Sequence, residues 1–211
     1  DGGDPRAPSF RVSKAEIKAS LPIVRLLAGA GAFGGRPTIS GPAVGCPFLA
    51  DARSAPAFAR LDLDPRAVQT KGCSFCLDNV GAYASFSEDE VVGAWMAQLR
   101  AVRAAQPDAR EILLTDERPH PYLPAFFRAV GAEPGLGPVE LLIKTRVDWL
   151  LEFADTALAE ALAVAAEIGS VLHVYLIGFE SFDQGHLDLF NKGVTVADNL
   201  DLGWAHGRSN E

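Results

Sequence analysis

The 211-residue chain has no cluster of lysine and arginine, no apolar run long enough to span a membrane, and only three cysteines. Each of these shortages excludes a class of protein. With 19 basic residues against 27 acidic ones the net charge is −8, and the electrostatic footprint that grips nucleic-acid phosphates is missing. The same balance argues against an acidic partner or a membrane surface. The most apolar early stretch, residues 21–33, is interrupted by Arg25 and is too short for a membrane span. It reads as the end of an amphipathic helix over 14–28 that runs into a glycine-rich stretch, 29–35. That stretch has neither a preceding strand nor a G-x-G-x-x-G arrangement, so a nucleotide-phosphate loop is not expected there. An odd cysteine count cannot close a disulfide framework, and no targeting signal is visible, so a cytoplasmic location is expected.

What is present is a chain able to bury a core. It is 48% hydrophobic, with 20 glycines, 14 prolines and a mean hydropathy of +0.12. Residues 1–45 read as a lead-in segment and 46–211 as the folded core. A short apolar run at 67–70 reads as a strand feeding the loop that starts at Lys71. Ser87 to Glu90 form a capping box, and Val91, Val92, Trp95, Leu99 and Val102 recur behind it at helical spacing, so a helix is expected over about 87–105. A buried strand at 111–115, a helix over 122–130 stopped by Gly131, a strand at 139–144, a long helix over 149–168 and a strand at 171–177 follow. The alternation is βαβαβαβ, about four βα units, which points to an α/β fold with a parallel sheet and right-handed crossovers. Polar residues gather after the strands, where such folds place their chemistry.

Cys73 and Cys76 form a C-x-x-C pair with Phe75 between them. As a redox pair they would need a helix directly behind to depress a thiol pKa, and Gly81 argues against one. As half of a zinc site they would need two further ligands, and Cys46 plus a distant histidine are the candidates. As an iron–sulfur site, three thiolates hold three irons of a [4Fe-4S] cluster and leave the fourth open. Cys46 is separated from Cys73 by 26 residues. A loop of that length adds little closure entropy, since each doubling costs only about 0.6 kcal/mol.

The run Thr70-Lys71-Gly72-Cys73-Ser74-Phe75-Cys76 resembles the end of the cysteine loop of radical S-adenosylmethionine enzymes. Thr145 to Asp148, Ile177 to Ser181 and Asn191-Lys192-Gly193 are similar to strand-end segments of that superfamily and occur in its order. The chain departs from the usual C-x-x-x-C-x-x-C at Gln69, where a cysteine is the rule. The resemblance implies a partial parallel (β/α) barrel, here without its last strands, and a [4Fe-4S] cluster held by Cys46, Cys73 and Cys76. It implies S-adenosylmethionine on the open iron, cleaved reductively to start radical chemistry on a substrate the sequence does not identify. An electron donor such as flavodoxin or ferredoxin is implied as partner.

Carried over by position, Phe75 lies beside the adenine and Glu117 near the methionine amino group, while Glu180 and Ser181 meet the ribose. Arg146 pairs with the carboxylate of S-adenosylmethionine. The competing readings are helix capping for Glu180 and Ser181 and an ion pair with Asp148 for Arg146. His120 and His173 read as ordinary loop and strand histidines, and Trp95 and Trp149 as packing. A non-catalytic zinc- or iron–sulfur-binding α/β module is the rival function.

Overall fold

The computed structural model describes residues 36–42, 45–54, 58, 61, 71–76 and 83–208, with side chains through Leu202. The helix expected over 14–28 and the strand expected at 67–70 lie outside the described residues.

Four strands, β1 (Thr38–Ile39), β2 (Glu111–Leu114), β3 (Glu140–Arg146) and β4 (Val171–Gly178), form one sheet in the order β1-β2-β3-β4. Every pairing is parallel. β1 falls inside the segment read as a lead-in. Just two of its residues pair, opposite Leu113 and Leu114, so it carries no alternating pattern to read. Among the described residues β1 precedes Cys46 and β2 follows Cys76, so all three cysteines lie on the chain between these two strands.

Helices cover one face. In α1 (Glu88–Ala105) the Ser87 side chain accepts from the Glu90 N–H while Glu90 caps back onto the Ser87 N–H, and Val91, Trp95, Leu99 and Val102 are buried. These residues pack with Ile112, Leu114, Leu141 and Ile143 of the sheet and with Phe126 and Phe127 of α2 (Leu123–Ala132). Burial alternates along β3, with Leu141, Ile143 and Thr145 buried and Glu140, Leu142 and Lys144 half-exposed. The other face of the sheet is less covered, among the described residues.

Two helical expectations need correction. Gly131 does not stop α2, which runs on to Ala132. It is a close-approach residue: a Cβ there would lie 2.7 Å from Cγ2 of Ile168. The long helix expected over 149–168 is broken into α3 (Val147–Phe153) and α4 (Ala159–Glu167) by a π turn at Ala154–Leu158. Thr156 leaves helical geometry there, at φ −125° and ψ −111°, and its hydroxyl bonds back to the Phe153 carbonyl at 3.4 Å. Gly169, at φ 70°, ends α4 as the sequence suggests. After β4 come α5 (Gln184–Leu189) and α6 (Val196–Arg208). Among the described residues no helix is long and apolar enough to cross a membrane.

Candidate functional site

The crossover carrying the cysteines is tied down by the chain that follows β4. Ser74 donates its N–H to the Phe190 carbonyl and its hydroxyl to the Leu189 carbonyl, both at 2.9 Å. Asn191 spends its side-chain amide on the carbonyls of Ala50 (2.9 Å) and Gly72 (2.7 Å). It holds a left-handed φ of 46°, a conformation asparagine tolerates better than most residues. Gly72 N–H donates to Ala50 at 2.8 Å, and Asp51 bridges Lys71 in antiparallel fashion. Residues 50–51 and 71–74 are therefore locked together although the segment between them is long.

Cys46 and Cys73 are buried, Cys76 is half-buried, and none is in a disulfide. Burial pushes the Cys46 and Cys73 thiols up from their ordinary range, opposed at Cys73 by the charges of Arg146 and Lys192. The thiols sense one another: a charge on Cys73 raises Cys46, and one on Cys76 raises Cys73. In their present positions no group of three or more Cys, His, Asp or Glu side chains is arranged to hold a metal ion, among the described residues. As a donor set, three thiols on one crossover with two cations beside Cys73 still suit an anionic thiolate cluster.

Arg146, at the end of β3, takes the local ion pair with Asp148. Its Nε and Nη2 donate to the Asp148 carboxylate at 2.9 and 3.1 Å, and Nη1 donates to Cys73 Sγ at 3.3 Å. Lys192, also buried, reaches Glu180 at 3.0 Å and lies 5.6 Å from the Phe75 ring centroid. Phe75 is 46% exposed and makes a T-shaped contact with Phe190, so part of its ring stays open to solvent. Glu180 holds a left-handed φ of 63° directly after β4. Ser181 does not cap α5; that cap is Asp183, and the Ser181 hydroxyl accepts from the Asp183 N–H at 3.0 Å.

A cavity of about 650 Å³ opens at the carboxyl ends of β1 and β2 and reaches Gly45, the neighbour of Cys46. Glu117 lies in its wall, paired with Lys144 of β3 at 2.5 Å. Asp116, beside it, accepts from the Gly41 N–H and, at 2.9 Å, from the Trp95 indole. Burial outweighs these donors and pushes its carboxyl up to about 6. Arg146 thus meets Cys73, and Lys192 joins Glu180 to Phe75, while Glu117 lies in the cavity wall that Gly45 also lines. Ser181 is engaged with its own turn.

Sequence reasoning passed over Lys144, Asn191's tether and the polar role of Trp95. Lys144 sits in an apolar strand, where an alternating face is its visible sign; nothing local marks the other two. His120 is fully buried, 2.9 Å from the Thr145 hydroxyl and stacked on Phe153 at 5.4 Å, and burial lowers its pKa to about 4. It is a core residue. His173 lies half-exposed on β4, 3.9 Å from Glu140. Compared with family models, curated proteins and solved structures, the chain matches none.

Proposed function

We propose that the chain is the core of a radical S-adenosylmethionine enzyme, with Cys46, Cys73 and Cys76 as ligands of a [4Fe-4S] cluster. The observation that carries this reading is that Cys73 lies against Arg146 at the carboxyl end of β3, three residues before Cys76, while Cys46 adjoins Gly45 in the wall of the cavity at the carboxyl ends of β1 and β2. The cluster, when bound, supplies the electron that cleaves S-adenosylmethionine to methionine and a 5′-deoxyadenosyl radical. The protein's own part is to bind and orient. Glu117 and Lys144 present opposite charges across 2.5 Å, matching the ammonium and carboxylate of an α-amino acid head. Phe75 offers its exposed ring to a flat base, and Glu180 can exchange Lys192 for ribose hydroxyls, a carboxylate being a strong acceptor for them. Arg146 holds Asp148 through Nε and Nη2, so meeting a ligand carboxylate through that fork would require exchanging Asp148.

Anaerobic reconstitution with iron and sulfide tests the reading. About four irons per chain, a brown protein and dithionite-dependent release of 5′-deoxyadenosine are expected. Stoichiometric zinc in a colourless protein would instead establish the rival binding module. Cys46→Ala is expected to lose the cluster, and an intact cluster in that variant removes Cys46 from the ligand set.

A further inference from the structure

Two acids stand in the wall of the cavity at the carboxyl ends of β1 and β2, and they are partnered differently. Glu117 pairs with Lys144 at 2.5 Å. Asp116 accepts from two neutral donors among the described residues, the Gly41 N–H at 2.5 Å and the Trp95 indole at 2.9 Å. The other cation of the wall, Arg118, holds Glu152 at 2.6 Å and lies 4.9 Å from the Phe153 ring centroid. Three carboxyl groups therefore share two cations, and His120, its pKa lowered to about 4, adds no charge at neutral pH. One negative charge is left over, at Asp116. Each of its oxygens takes one N–H and keeps a second acceptor position, and the residue is half-buried and lines the cavity. Gly41 makes room for it, since a Cβ there would strike the carboxylate.

The rest of the wall is rich in rings: Tyr83, Phe86, Tyr122 and Tyr175. Tyr122 packs edge-on against Trp95 with centroids 6.1 Å apart, so the side chain that orients Asp116 also orients one ring of the wall. Tyr175 sits at a bulge. Ile143 pairs with Val174 and Lys144 with Leu176, which leaves Tyr175 out of register and turned toward the cavity it lines. Ring faces attract cations, and a carboxylate shielded from water without a counter-ion attracts them more strongly.

We propose that this cavity binds an arylalkylamine, its primary ammonium pairing with Asp116 and its ring lying among Tyr83, Phe86, Tyr122 and Tyr175. A volume of about 650 Å³ accommodates such a molecule. No metal and no thiol takes part, so the site stands apart from the iron–sulfur reading. The carboxyl's own titration agrees. Burial pushes Asp116 up to about 6 against the pull of its two donors, with Glu117 raising it and Lys144 lowering it. Tyr83, which senses Tyr122, Arg118 and Asp116, is pushed up by burial and stays neutral in this range. An ammonium favours the ionised carboxyl, so it binds less well as pH falls below about 6.

The experiment is calorimetric titration of the whole chain, with no iron added, using phenethylamine as the probe. Its anionic and neutral counterparts, 3-phenylpropionate and 2-phenylethanol, are the controls. The amine is expected to saturate one site and to bind about tenfold or more tighter than either control. Its affinity should be about tenfold weaker at about pH 5 than at about pH 7, and Asp116→Asn should weaken it about tenfold at the higher pH and abolish the pH dependence. Absence of amine binding, binding indifferent to ligand charge, or unchanged binding in Asp116→Asn overturns the proposal. Should that variant not fold, the parent chain with ¹³C-labelled aspartate carboxyls decides. One carboxyl titrating near pH 6 must move its midpoint to lower pH when phenethylamine is added, and no such movement overturns the proposal. Iron uptake by the cysteines is read separately, so either conclusion can fail without the other.

Discussion

Two displaced titratable groups, the half-buried Asp116 and the buried His120, act on stability in opposite directions over the same pH range. Asp116 has a folded pKa of about 6 against an ordinary 3.8, so the folded chain holds its proton more tightly than the unfolded chain does. Its contribution is fully present below the ordinary value and is lost as pH rises through about 6. His120, lowered from 6.5 to about 4, contributes fully above its ordinary value and loses that contribution as pH falls. Each displacement corresponds to about 3 kcal/mol at about 1.4 kcal/mol per pH unit. In the parent chain the pair nearly cancels. Asp116→Asn is expected to leave a stability that rises with pH, and His120→Leu one that falls, when urea unfolding is measured at about pH 4.5 and about pH 6.5. Parallel profiles in all three proteins would show that neither group is perturbed. The carboxylate's environment was hidden in the sequence because both of its donors, Gly41 and Trp95, come from other elements.

Elements were legible where their signals are local. The capping box of α1 and its apolar spacing are written within 18 residues and appear as expected. The three later strands were read to within two residues at each end. Signals that depend on a distant partner were not legible: Gly131 looks like a stop until Ile168 is seen against it, and β1 is two residues long. The segment after β4 belongs to the same group. Asn191 reads as a turn residue, yet its amide joins Ala50 to Gly72 across 141 and 119 residues of chain. Asn191→Ala leaves those two carbonyls without that donor and is expected to cost about 2–3 kcal/mol by chemical denaturation. The loss should fall on the cysteine crossover first, so native-state alkylation of Cys73 should quicken severalfold while the protection of Trp95 stays unchanged. Equal loosening of both would remove Asn191 from its role as a tether.

At the scale of the whole molecule, the alternation of strands and helices was enough to predict a parallel α/β sheet, and the strand order confirms it. What alternation cannot supply is where the sheet ends. Among the described residues β4 pairs on one side alone, and Val171, Tyr175 and Leu176 are 44%, 48% and 53% exposed. A bare parallel edge of this kind invites pairing with other chains. Leu176→Lys is expected to lower concentration-dependent light scattering while changing unfolding free energy by less than about 0.5 kcal/mol; unchanged scattering would locate self-association elsewhere. The candidate site was half visible. Its cysteines, Phe75, Glu117, Arg146 and Glu180 stand out in the sequence, as does the segment Asn191-Lys192-Gly193, whereas the contacts made by Lys144, Lys192 and Asn191 depend on residues far along the chain.

The tethers from Ser74 to Leu189 and from Asn191 to Gly72 span 115 and 119 residues. They also impose an order on biosynthesis. At about 5–20 residues per second, the ribosome takes on the order of ten seconds to deliver the anchoring segment after the cysteines have emerged. Throughout that interval the thiols are not yet fixed and stand open to oxidants and stray metal ions. The thiols of the nascent chain are therefore more open to oxidation than the same thiols once the tethers have closed over them.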